Sequence, residues 1–94
     1  MRVKWLRKAL HTLDEEAAYI ATDDATAARL VVGRILDSVA QLAHQPGLGR
    51  PGRVPGTREL IVQKTRYIAP YRVRGDAVDI LRVFHTSCHP PQRW

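Results

Sequence analysis

The sequence predicts a small α+β domain, in which an antiparallel helical hairpin covers one face of a mainly antiparallel sheet. Early in the chain, the apolar residues change from a period of two to a period of three to four. A segment rich in Gly and Pro then ends the helical part, and three runs rich in Val, Ile and Tyr follow it. This order of elements is typical of a two-layer α+β architecture. The chain of 94 residues is long enough for one modest core, so residues 1–94 are expected to form a single domain.

The N-terminal half contains the first strand and both helices. Arg2–Trp5 alternates between charged and apolar residues, which predicts a strand. A helix is predicted from about Arg7 to Ala21, and its apolar stripe consists of Leu6, Leu10, Leu13, Ala17 and Ile20. A second helix follows the capping residues Thr22, Asp23 and Asp24, and its stripe consists of Ala27, Val31, Ile35, Val39 and Leu42. Because so few residues join the helices, they are expected to form an antiparallel hairpin.

A loop and three strands make up the rest of the chain. The second helix is expected to end at His44-Gln45-Pro46-Gly47, because the segment from Pro46 to Gly56 contains four glycines and three prolines. The three strands are predicted over Arg58–Gln63, Tyr67–Arg74 and Ala77–His85, with Gly75-Asp76 as a two-residue turn between the last two. Pro70 has no N–H group to give to a sheet, so a bulge or a sheet edge is expected there.

Positive charge is concentrated in the second half of the chain. Residues 1–49 carry six basic and six acidic side chains, whereas residues 50–94 carry nine basic and three acidic ones. The whole excess of +6 therefore lies in the second half. Such polarity favours an anionic partner, which is either nucleic acid or an acidic protein segment.

Cysteine usage and hydropathy indicate a cytoplasmic protein without membrane contact. Cys88 is the single cysteine, which excludes an intramolecular disulfide and indicates a reducing compartment. Met1–Leu10 contains no apolar run of signal-peptide length, and no stretch reaches the roughly 20 apolar residues of a membrane span. The run from His85 to His89 holds three potential zinc ligands, but a structural zinc site needs four. No metal and no cofactor are therefore expected.

Three segments from Pro46 onward resemble the RelE/ParE superfamily of toxins. They are the loop and strand from Pro46 to Leu60, the tripeptide Tyr71-Arg72-Val73, and the run from Val78 to His85. The early Trp5 and the helical hairpin follow the same family order, so the resemblance spans nearly the whole chain. It implies the toxin of a type II toxin–antitoxin pair. It also implies a tight complex, with higher-order assembly, in which the C-terminal part of a cognate antitoxin occupies the uncovered sheet face and the basic groove.

Two activities occur in this superfamily, and the resemblance favours the ParE-like branch. ParE-like members poison DNA gyrase, whereas RelE-like members cut messenger RNA on the ribosome without a metal. The nuclease branch would use His85, Arg82, Arg72 and Glu59 as its catalytic residues. The chain departs from that branch because apolar Ile68 stands where nuclease members commonly carry an arginine, and because no tyrosine follows the last strand. A ribosome-dependent endoribonuclease remains the alternative to gyrase poisoning.

In the ParE-like interpretation, basic side chains of the second half contact the antitoxin or the target, because arginine suits such interfaces. The residues predicted for this role are Arg50, Arg53, Arg58, Arg66, Arg72, Arg74, Arg82 and Trp94. A third hypothesis, a basic nucleic-acid-binding module without toxicity, depends on the charge asymmetry alone.

Overall fold

The computed structural model describes residues 1–94 and contains two helices and six strands. In chain order they are β1 (Arg2–Trp5), α1 (Arg7–Asp23), α2 (Ala25–Ala40), β2 (Arg50–Pro51), β3 (Arg58–Ile61), β4 (Tyr67–Arg74), β5 (Ala77–Ile80) and β6 (Phe84–His85). A short 3₁₀ turn, Gln41–Ala43, extends α2. The predicted α+β class, with a helical hairpin on one face of a mostly antiparallel sheet, is confirmed. Neither helix is long and apolar enough to cross a membrane.

The sheet has the strand order β1-β5-β4-β3-β2, and β6 also pairs with β4. All pairings are antiparallel except that of β1 with β5, which is parallel. The helical hairpin therefore follows the edge strand β1, and the C-terminal strands complete the sheet beside it. The two-residue strand β2 lies inside the loop that the sequence predicted, where Gly and Pro had given no strand signal.

The prediction of one continuous strand over Ala77–His85 is wrong, because the structure has two strands there. The register pairs Tyr71 with Ile80 and Ile68 with Phe84, so two residues of β4 face three residues of the other strand. The carbonyl of Pro70 accepts from the Leu81 N–H group at 2.9 Å, and proline has no N–H group for a return bond. The bulge expected at Pro70 is thus confirmed, and it divides the run into β5 and β6.

The apolar stripe predicted for α1 is partly wrong. Leu10 is 47% exposed, whereas its neighbours Ala9 and Thr12 are buried together with Leu13. Thr12 is buried because its hydroxyl accepts from the Val83 N–H group at 2.9 Å, next to the bulge.

At the start of α2, the predicted cap is confirmed, since the Asp24 side chain accepts from the Ala27 N–H group.

The core lies between the hairpin and one face of the sheet, which we call the helix face. Helical core residues include Ile35, Val39 and Leu42, and sheet core residues include Leu60, Tyr71 and Ile80. Because side chains alternate along a strand, the register places another set on the opposite face, which we call the open face. The open-face residues are Arg2, Lys4, Glu59, Ile61, Ile68, Pro70, Arg72, Arg74, Ala77, Asp79 and Phe84.

Candidate functional site

One candidate surface is an apolar groove between α1 and α2, which we call the hairpin groove. Its volume is about 540 Å³, and seven of its nine lining residues are hydrophobic. Arg29 is the one charged residue among them, and Leu36 is 44% exposed. The lining residues are Ala17, Ala18, Ala21, Ala25, Ala28, Arg29, Val32, Gly33 and Leu36. Because most of them are small, the backbone of a partner helix can come close to both helices.

Much of the apolar end of the open face is covered by the chain itself, although Ile61 is 48% exposed. Ile68 and Phe84 are 1% and 6% exposed. The Phe84 ring meets the Trp94 ring edge-on, with 5.1 Å between centroids, and the Arg82 guanidinium lies 5.5 Å from its centre. The C-terminal tail therefore lies over part of the sheet face that the resemblance assigns to the antitoxin, where Trp94 contacts Phe84.

The other end of the open face is cationic and contains a buried carboxylate. Asp79 is fully buried, and its Oδ2 atom lies 3.1 Å from both Arg72 Nε and Arg74 Nη2. The two arginine side chains are 42% and 63% exposed, so each keeps N–H groups toward solvent. This arrangement can hold an anionic group of a partner.

Glu59 ties the Gly- and Pro-rich loop to the sheet. Its side chain is 1% exposed and accepts from the Arg53 backbone N–H group at 3.0 Å and from Arg50 Nη2 at 3.1 Å. The Arg53 guanidinium lies 3.6 Å away. Both carboxylate oxygens are therefore occupied by the loop.

On the helix face, Tyr71 and Arg58 hold the beginning of the same loop. The Tyr71 hydroxyl donates to the Pro46 carbonyl at 2.7 Å and accepts from the Gly49 N–H group at 2.8 Å. The Arg58 guanidinium donates to the Gly49 carbonyl at 2.6 Å. Arg58 and Glu59 thus fix one loop from opposite faces of β3.

Comparison with known proteins identifies the family. The family described as "ParE toxin of type II toxin-antitoxin system, parDE" matches residues 3–89. The chain belongs to the ParE toxin family. A Sinorhizobium fredii protein named "Putative toxin Y4kP" is 48% identical over 91 residues, which cover 97% of this chain and 94% of that protein. A solved structure described as "Chromosomal ParDE TA system from P. aeruginosa" has a TM-score of 0.80 and 35% identity, over 90% of this chain and 95% of the other.

These matches confirm the resemblance to RelE/ParE toxins and place the chain in the ParE-like branch. It is a ParE-like type II toxin, and membership of the ParDE toxin–antitoxin family implies a cognate antitoxin as its partner.

In this ParE-family toxin, the four residues predicted for a nuclease form two separate pairs: Glu59 and Arg72 on the open face, and Arg82 and His85, which line one pocket. Glu59 and Arg72 are on the open face, where each is already paired. His85 is opposite Tyr67 on the helix face, with the rings edge to face at 5.1 Å, and its Nδ1 atom lies 2.7 Å from the Ser87 hydroxyl. Arg82 lies against Phe84. The fold therefore does not bring the histidine together with Glu59 and Arg72.

Sequence reasoning missed Asp79 and Tyr71 as organising residues of this ParE-family toxin. Asp79 stands in a run of apolar residues, and a buried acidic residue in such a run usually has a counter-ion on the neighbouring strand. Because the predicted hairpin places Arg72 and Asp79 on adjacent strands, an ion pair between them could have been predicted from the sequence. Arg66 and Trp94 were also predicted to contact the antitoxin or the target. The Arg66 side chain forms no hydrogen bond within the chain, and the Trp94 Nε1 atom is buried without a hydrogen-bond partner.

Tyr67 gives this ParE-family toxin a predictable response to alkali. Burial, together with the hydrogen bond that its hydroxyl donates to Glu16 at 2.9 Å, raises the pKa of Tyr67 above its usual range. The folded pKa exceeds the unfolded one, so the stabilisation is complete below about pH 10 and is lost as the pH rises further. We expect Tyr67→Phe to show a smaller fall in Tm than the wild type between about pH 9 and 11. Tyr19→Phe, at a 75% exposed site, removes only a minor contribution to that shift and is expected to change the alkaline fall in Tm less; an equal change in both variants would contradict the prediction.

Proposed function

We propose that this ParE-family toxin stops growth by poisoning DNA gyrase and that its cognate antitoxin neutralises it by covering the hairpin groove and the arginines of the second half. The observation that carries the proposal is the family match over residues 3–89. The separation of His85 from Glu59 and Arg72 supports it, because metal-free RNA cleavage needs a base, an acid and phosphate-binding cations around one substrate.

The antitoxin contact has an apolar and a cationic component. A partner helix with apolar anchors three or four residues apart fits the hairpin groove, where it removes Leu36 from water. The exposed N–H groups of arginines then bind acidic or carbonyl groups of the partner. We assign this second role to Arg66, Arg72, Arg74 and Arg82, and a contact at the apolar end of the open face to Trp94. Arg50, Arg53 and Arg58 offer a partner only the N–H groups that the loop leaves free.

A gyrase assay tests the proposed target. Purified toxin is expected to inhibit supercoiling by DNA gyrase in a concentration-dependent way, and equimolar antitoxin is expected to restore it. The same preparation is tested on translated messenger RNA by primer extension. Unchanged supercoiling over a wide concentration range, together with message cuts that disappear in His85→Ala, would instead support the ribonuclease alternative.

A substitution in the hairpin groove tests how the antitoxin binds. Ala21 lines the groove near the end of α1, so Ala21→Glu places a charge where an apolar partner helix is proposed. We expect the variant to remain toxic when it is expressed, while rescue by coexpressed antitoxin is lost. Ala40→Glu is a matched control, because Ala40 is an exposed residue at the end of α2 outside the groove. Full rescue of both variants would show that the antitoxin does not use the groove.

A further inference from the structure

The cationic end of the open face is organised by one buried carboxylate. Arg72 and Arg74 contact the same oxygen atom of Asp79, and each guanidinium keeps further N–H groups that do not contact this oxygen. Arg72 binds through Nε, so both of its terminal amino groups are free of this contact. A guanidinium held in place by a buried anion has lost most of its freedom before any partner arrives.

Two further basic residues of β1 lie beside these arginines. Lys4 is the register partner of Asp79, and Arg2 is the register partner of Ala77. Arg2 forms an exposed pair with Asp76 at 3.4 Å, whereas Lys4 has no acidic partner. We call Arg2, Lys4, Arg72 and Arg74 the β5 cation cluster. Its four positive charges exceed the two negative charges of Asp76 and Asp79, so the surface attracts anions.

We propose that the β5 cation cluster binds an extended protein segment that carries carboxylates at every second residue, with Asp79 as the positioning residue. Cluster residues on one strand are two positions apart, which is about 6.6 to 6.8 Å. An extended peptide repeats its side chains on one face at the same distance. Guanidinium groups bind carboxylates through paired, charge-assisted hydrogen bonds.

The cluster suits a protein segment better than a nucleic acid. Trp5, Tyr67 and Tyr71, the aromatic residues of the same strands, belong to the helix face, so the cluster has no platform for stacking bases.

The inference rests on the proposed function only for the cellular identity of the partner, which would be a segment of the antitoxin. The chemistry of the cluster can be tested without that partner. Failure of a synthetic peptide to bind would leave the gyrase and hairpin-groove experiments unaffected, so the two failures are distinguishable.

The test uses the full chain and a fluorescent synthetic peptide in which glutamate alternates with valine. Its binding is measured by fluorescence anisotropy at about 0.15 M salt. We expect Arg72→Gln/Arg74→Gln to lower the affinity at least about tenfold. Lys64→Gln/Arg93→Gln removes the same charge from side chains without hydrogen bonds or ion pairs, and about a twofold loss at most is expected there. No binding by the wild type, or equal losses in the two variants, would overturn the proposal.

Two further measurements separate positioning from charge and from folding. Asp79→Asn makes the protein more positive, so attraction by charge alone predicts tighter peptide binding, whereas loss of positioning predicts binding about threefold weaker. Tighter or unchanged binding would overturn the role of Asp79. Thermal unfolding of each variant is measured first. Should Arg72→Gln/Arg74→Gln fail to fold because Asp79 is left unpaired, the triple variant with Asp79→Asn replaces it and is expected to show the same loss.

The last comparison concerns the class of partner. The peptide with alternating glutamates is expected to bind more tightly than one of equal composition with all glutamates in one block. It is also expected to bind more tightly than a single-stranded oligonucleotide of equal charge. An oligonucleotide that binds more tightly, with the same loss in Arg72→Gln/Arg74→Gln, would overturn the choice of a protein partner.

Discussion

Gly49→Ala is expected to lower the free energy of unfolding by about 3 kcal/mol, because the added methyl group has no space. It would lie 2.6 Å from Cε1 and 2.8 Å from Oη of Tyr71, and 2.9 Å from the Glu59 carbonyl oxygen. Backbone on one side and a fully buried ring on the other cannot both move away. Any shift of the ring also weakens the two hydrogen bonds that the Tyr71 hydroxyl forms with the loop.

Urea unfolding of Gly49→Ala and Gly47→Ala measures this effect. Gly47 is a matched control, because it lies in the same loop and a methyl group there meets no atom within 4 Å. Its substitution is expected to change the stability by less than about 1 kcal/mol. Equal stability of the two variants would show that the contact between Gly49 and Tyr71 is not as close as described.

Glu59→Ala is expected to lower the free energy of unfolding by about 2 to 3 kcal/mol. The substitution removes a buried carboxylate and leaves the Arg53 backbone N–H group without its acceptor. The loss falls below the 3 to 5 kcal/mol or so that is typical when a buried ion pair loses one member. The reason is that Arg50 and Arg53 are 48% and 47% exposed and can be hydrated once Glu59 is gone.

The matched control for this prediction is Glu15→Ala. Glu15 also contacts a basic group, His11 at 3.4 Å, but its side chain is 59% exposed on α1. Its removal is expected to cost less than about 0.5 kcal/mol. A loss in Glu59→Ala no larger than that in Glu15→Ala would mean that the loop is held by Tyr71 and Arg58 alone.

Most secondary structure could be predicted from the sequence because its signals are local. The alternation in Arg2–Trp5, the Asp24 cap and the Gly75-Asp76 turn each depend on a few neighbouring residues, and the structure contains all three. The end of the last strand could not be predicted in the same way. Whether Leu81 pairs depends on Pro70, a residue of another strand.

The sequence by itself determined the order of the elements, the concentration of positive charge in the second half and, through the segment from Pro46 to Leu60 and the runs that follow it, membership of the RelE/ParE superfamily. These features follow from local periodicity, composition and motif. Only the tertiary structure decided that Trp94 covers Phe84 and that Arg72 and Arg74 share the carboxylate of Asp79. Strand register and the path of the tail set these contacts, and both result from the packing of distant segments against one core.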